Sequence, residues 1–88
     1  MFYFLKHRLN EEDLTEFKHV GYGDSITIFG VDSVTEENSI VTGILFYIDN
    51  NTNEMNKWLY QLFSFDIESL SLERPDWFAR LFDELGIS

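Results

Sequence analysis

The sequence predicts an α+β domain in which helices pack on an antiparallel sheet of three or four strands, and three observations carry that expectation. Residues 25–34 and 39–48 are rich in β-branched and aromatic side chains, the composition of strands. Met55, Trp58, Leu59, Leu62 and Phe63 recur at the i, i+3, i+4, i+7, i+8 spacing of one helix face. Pro75 and Gly86 bracket a second apolar stripe of Phe78, Leu81, Phe82 and Leu85, as a first-turn proline and a C-terminal glycine stop do.

Taken in order, Phe2 to Leu9 reads as a first strand because of its aromatic start. Asn10 has the chemistry of a helix N-cap, Glu11, Glu12 and Asp13 suit the positive end of the helix dipole, and Leu9 and Leu14 form a hydrophobic staple. This helix is predicted to end near Val20, before a turn over Gly21, Tyr22, Gly23 and Asp24. The polar run Thr35 to Asn38 reads as the loop of a hairpin. That loop sets Ile28 opposite Leu45, Ile26 opposite Tyr47 and Gly30 opposite Gly43, where two facing glycines leave a notch that admits a bulky helix residue or marks a bulge. The second hairpin strand is apolar on both faces, so it is central.

Asp49 to Asn53 forms the next loop. The helix after it is predicted to bury Trp58, Leu59, Leu62 and Phe63, with Tyr60 off the stripe. Residues 65–72 alternate over part of their length, which suits a short fourth strand. The resulting order, β-α-β-β-α-(β)-α, is compatible with a ferredoxin-like core if that strand forms.

Residues 1–88 read as a single compact domain. Nine Phe, four Tyr and two Trp bring about 150–250 Å² of buriable surface each, which suits a small core built without a disulfide or a metal. The absence of cysteine excludes thiol redox chemistry, thiolate metal sites and a disulfide framework, and points to the cytoplasm. Lys6, His7 and Arg8 follow the apolar start instead of preceding a long hydrophobic run, unlike a signal peptide. The run Ile44 to Ile48 is too short to cross a bilayer.

The charge is the main functional signal. Sixteen acids face six Lys and Arg for a net charge of −10, beyond the magnitude of about 2–8 that suits a small soluble domain. Between residues 10 and 56 Lys18 is the one base. Such a surface repels free nucleic acid and anionic membrane and attracts a basic protein.

Chemistry-bearing patterns are weak by comparison. Asp49, Asn51 and Asn53 imitate the start of a calcium loop, but Glu54 stands where its glycine belongs and Tyr60 where its closing glutamate belongs. His7 and His19 have no metal-ligand spacing, and Gly21-Tyr22-Gly23 lacks the lysine of a phosphate loop. Adjacent acids such as Glu36 and Glu37, or Asp83 and Glu84, lie in polar segments, whereas acid–base catalysis needs carboxylates with separated pKa values. No catalytic residue, metal or cofactor is therefore expected.

The expected partner-binding residues are Glu11, Glu12, Asp13, Glu16, Asp32, Glu36 and Glu37, with Tyr22 and Tyr60 as aromatic anchors. Anchors are needed because exposed ion pairs contribute only about 0–1 kcal/mol each. Trp77, at the edge of its stripe, reads as cover for the core rim. The expected function is a small acidic inhibitor occupying the basic, nucleic-acid-binding surface of a partner. A phage anti-defence protein acting as a nucleic-acid mimic and an immunity protein against a basic nuclease toxin both fit. The alternative is a homodimeric structural or regulatory subunit paired through an open sheet edge at residues 2–9 or 25–34.

Overall fold

The computed structural model describes residues 1–15, 17 and 25–86. Strand β1 (Phe2–Leu5) is followed by a one-turn helix α1 (Glu11–Leu14), then by β2 (Ile26–Glu37), β3 (Ile40–Asp49) and β4 (Glu54–Asp66). A 3-10 turn (Ile67–Ser69) leads to the two-residue strand β5 (Leu70–Ser71), and helix α2 (Asp76–Leu85) closes the chain. All strand pairs are antiparallel, in the order β4-β3-β2-β1-β5.

This arrangement corrects the β-α-β-β-α-(β)-α, ferredoxin-like expectation, because the segment read as the central helix is β4. Trp58 and Phe63 are an odd number of residues apart, so an unbroken strand would set them on opposite faces. The register jumps from Gly43 opposite Phe63 to Leu45 opposite Trp58, so residues 59–62 form a wide bulge against Ile44. The bulge returns Trp58 and Phe63 to one face and imitates helical spacing. Phe63 is buried and Trp58 half-buried, but Leu59 and Leu62 are exposed. Residues 65–72 also divide: Phe65 and Asp66 end β4, and Leu70 and Ser71 make β5.

The hairpin forms in a different register from the expected one. Ile28 faces Tyr47, Val31 faces Leu45, and Gly43 faces Ser33 instead of Gly30. The turn is two residues, Asn38 and Ser39, with φ of 53° and 63°, the left-handed pair that matches strand twist. Register shifts at Phe29 and Val34 then lengthen β2 relative to β3. The first shift puts Ile26, Ile28 and Val31 in one core cluster and Phe29 in the other, so residues 26–31 are all buried. The two glycines do not face each other, so no shared notch forms; each borders a register shift, and Gly30 is met by the tip of the Phe2 ring of β1.

Those bulges let the sheet curl. Three residues, Ile67–Ser69, carry the chain from edge strand β4 to edge strand β5, which a flat five-stranded sheet could not permit at about 4.8 Å per strand. The turn is held at both ends, by Ile67 N–H donating to the Ser39 carbonyl (2.8 Å) and Lys6 N–H donating to the Ser69 carbonyl (2.9 Å). Inside this half-open barrel lie Tyr3, Leu5, Ile28, Val31, Val41 and Leu45. Phe17 covers it, tilted against Phe63 at 5.4 Å and stacked on Phe65 at 6.2 Å. On the outer face α2 sets Phe78 and Leu81 against Phe29 and Ile48. Gly86 stops α2 at φ 71°, as expected of it, and Trp77 Nε1 donates to the Leu5 carbonyl at 2.8 Å.

The Tyr3 hydroxyl donates to the Glu36 carboxylate, tying β1 to the hairpin tip. That bond first, then desolvation and the carboxylate charge, raises the Tyr3 pKa above the ordinary tyrosine value. The unfolded chain thus releases this proton first, near pH 10. The contribution is complete below that pH and is lost as pH rises through the higher folded value. Urea melts from pH 9 to 11 should show a steeper loss of stability in the native chain than in Tyr3→Phe. Equal slopes would mean that the bond does not hold in solution.

Candidate partner-binding surface

Asn10 caps α1 as its chemistry dictates. Its Oδ1 accepts from Asp13 N–H at 2.8 Å, and the Asp13 carboxylate accepts from Asn10 N–H. Asp13 is thus partly a capping residue, and Glu12 is exposed beside it. Glu11 opens the helix. Leu9, Asn10 and Leu14 line a cleft of about 480 Å³ with Ile26, Thr27 and Asn50, so α1 sits by the base of the hairpin, away from its tip. Arg8, also on that cleft, lies 3.6 Å from Glu84, so its charge already has a partner. Glu16 and Tyr22 lie outside the described residues, as do the expected helix end, the glycine turn and His19.

Glu36 and Glu37 sit together near the hairpin tip, both exposed. They differ in role: Glu36 accepts the Tyr3 hydroxyl, whereas no hydrogen bond or ion pair holds the Glu37 side chain among the described residues. Asp32 is half-buried, 3.5 Å from the Met1 amino group. Tyr60, 86% exposed, stands in the β4 bulge with its ring edge-on to Trp58 at 4.9 Å.

Sequence reasoning missed the surroundings of Tyr60. Leu59 and Leu62, assigned to a core face, are 64% and 50% exposed on the same bulge. Glu54 and Asp66, exposed at the ends of β4, and Glu68 in the 3-10 turn were not singled out either. The aromatic density of residues 58–65 was the available signal for a strand. Beside the bulge, Trp58 Nε1 is buried without a hydrogen-bond partner among the described residues.

No helix among the described residues is long and apolar enough to cross a membrane. Comparison with protein-family models finds no match to this chain. No curated protein and no solved structure matches it either.

Proposed function

We propose that this chain is a small, non-enzymatic, acidic inhibitor that acts in the cytoplasm by occupying the basic, nucleic-acid-binding surface of a partner protein. The supporting observation is that its carboxylates are largely left for something else to neutralise. Among the described residues there are two ion pairs, Met1 with Asp32 and Arg8 with Glu84, against a net charge of −10. A surface shaped to neutralise phosphates also attracts carboxylates, and competition follows where the two sites overlap. The exposed Tyr60 supplies the aromatic contact that exposed charge alone lacks.

The test is capture of the partner from native cytosol at low salt, followed by competition with nucleic acid. The fourfold variant Glu37→Lys, Glu54→Lys, Asp66→Lys, Glu68→Lys leaves the Tyr3–Glu36 bond and the α1 cap intact. It is expected to fold and to lose capture. A variant that captures the same protein equally well, at low and high salt, would remove the electrostatic reading. The homodimer alternative loses its expected edges at residues 2–9 and 25–34, because β1 and β2 are each paired on both sides; it is left with edge strand β4 and predicts a doubled mass in solution.

A further inference from the structure

β4 is the terminal strand of the sheet, and its exposed side chains have a three-part pattern. At one end Glu54 is opposite Asp49. At the other, Asp66 is opposite Ile40, which itself faces Glu37 across the hairpin. Between these acidic ends stand Leu59, Tyr60 and Leu62, all exposed. Lys57 is the one base along the strand.

An apolar edge invites strand pairing, but a second copy of this chain would set acid against acid at the ends of β4 and −10 against −10 overall. The occupant that satisfies both the apolar centre and the acidic ends is an extended segment with apolar residues in its middle and Lys or Arg on either side. The wide bulge interrupts the β4 ladder at its centre, so side chains there, more than backbone pairing, carry the contact. Resting on the reading that the partner is basic, we propose that β4 is the docking strand for such a segment. Its apolar residues seat on Leu59, Tyr60 and Leu62, and its flanking bases reach Glu54 and Asp49 at one end and Asp66 and Glu37 at the other. The β3 residues facing the two ends, Ile40 and Asp49, are about 30 Å apart at about 3.4 Å per residue, so the segment is about ten residues long.

The probe is a synthetic peptide of about ten residues with lysines at both ends and a Leu-Val-Leu centre, compared with the same peptide carrying serines at the centre. Binding to the full chain is read by NMR at low salt, following backbone amides and the two tryptophan indole signals. The apolar-centred peptide is expected to bind about tenfold tighter and to shift the Trp58 indole and the β4 amides, while the Trp77 indole stays in place. Leu59→Ser with Tyr60→Ser and Leu62→Ser should abolish that preference, and Glu54→Lys with Asp66→Lys should weaken both peptides. Equal binding of the two peptides would overturn the docking proposal and leave charge capture standing. Absence of any salt-dependent binding by either would overturn both. A native chain that sediments as a dimer with β4 amides shielded would assign the strand to a second copy and also overturn the proposal.

Discussion

Gly43→Ala is expected to cost the fold about 3 kcal/mol or more, at the upper end of what overpacking a filled site does. Gly43 faces Ser33 on β2 and Phe63 on β4, in the middle strand of that trio. A Cβ built there runs into the Asp32 carbonyl oxygen and lies 2.7 Å from the carbonyl carbon and 2.9 Å from the Ser33 Cα. All three obstacles are backbone atoms of a paired strand, so no side chain can rotate aside. The hairpin must either open locally or shift register, and a one-residue slip turns every core side chain outward. Small domains have about 5–15 kcal/mol of stability in total, so urea midpoints should fall sharply. A loss below about 0.5 kcal/mol, the size of an ordinary surface change, would contradict the close approach and the register that produces it.

Phe78→Ala should cost about 3–5 kcal/mol, the range for truncating a buried aromatic. Phe78 is 3% exposed, stacked on Phe29 at 4.8 Å, with Phe4, Phe82 and Trp77 at 5.4, 4.7 and 5.7 Å. It links α2 to two strands at once, and α2 has no side-chain N-cap bond to hold it otherwise. A helix of ten residues is marginal alone in water. Losing this contact should therefore release α2 before the barrel opens. Far-ultraviolet circular dichroism should show helix loss at a lower urea concentration than the loss of the native Trp58 indole signal in NMR, since Trp77 belongs to α2 and leaves with it. Coincident transitions with a loss below about 1 kcal/mol would show that Phe78 is not the attachment point.

These two residues also mark what the sequence makes legible and what it hides. α2 could be read because its signals are local: an apolar stripe, a proline at the start and a glycine at the stop. The Asn10 cap was equally local. The existence of the hairpin followed from composition, but its register depended on Asn38 and Ser39 both taking left-handed φ and on two bulges in β2. None of these alters the hydrophobic pattern enough to be seen. β4 was hidden for a sharper reason. Its bulge inserts residues between Trp58 and Phe63 and so generates helical spacing in a strand, while the decisive pairing with β3 is non-local. The curl depends on Ile67–Ser69 joining two opposite edges, a long-range fact with no pattern of its own.

The exposure of Tyr60 was legible because it fell off the apolar stripe. That of Leu59 and Leu62 was not, because they fell on it. Glu36 stood out as an exposed acid, yet its carboxylate accepts the Tyr3 hydroxyl, a pairing of residues 33 positions apart in the chain that no local pattern records.

Competition decides whether this acidic chain takes the place of nucleic acid on a basic partner. The captured partner is loaded with a fluorescent oligonucleotide, and the chain is titrated in at low salt while anisotropy is followed. The native chain is expected to release the oligonucleotide fully, and the fourfold Glu37→Lys, Glu54→Lys, Asp66→Lys, Glu68→Lys variant to release none. A ternary complex, in which the chain binds and the oligonucleotide stays, would contradict the proposed function.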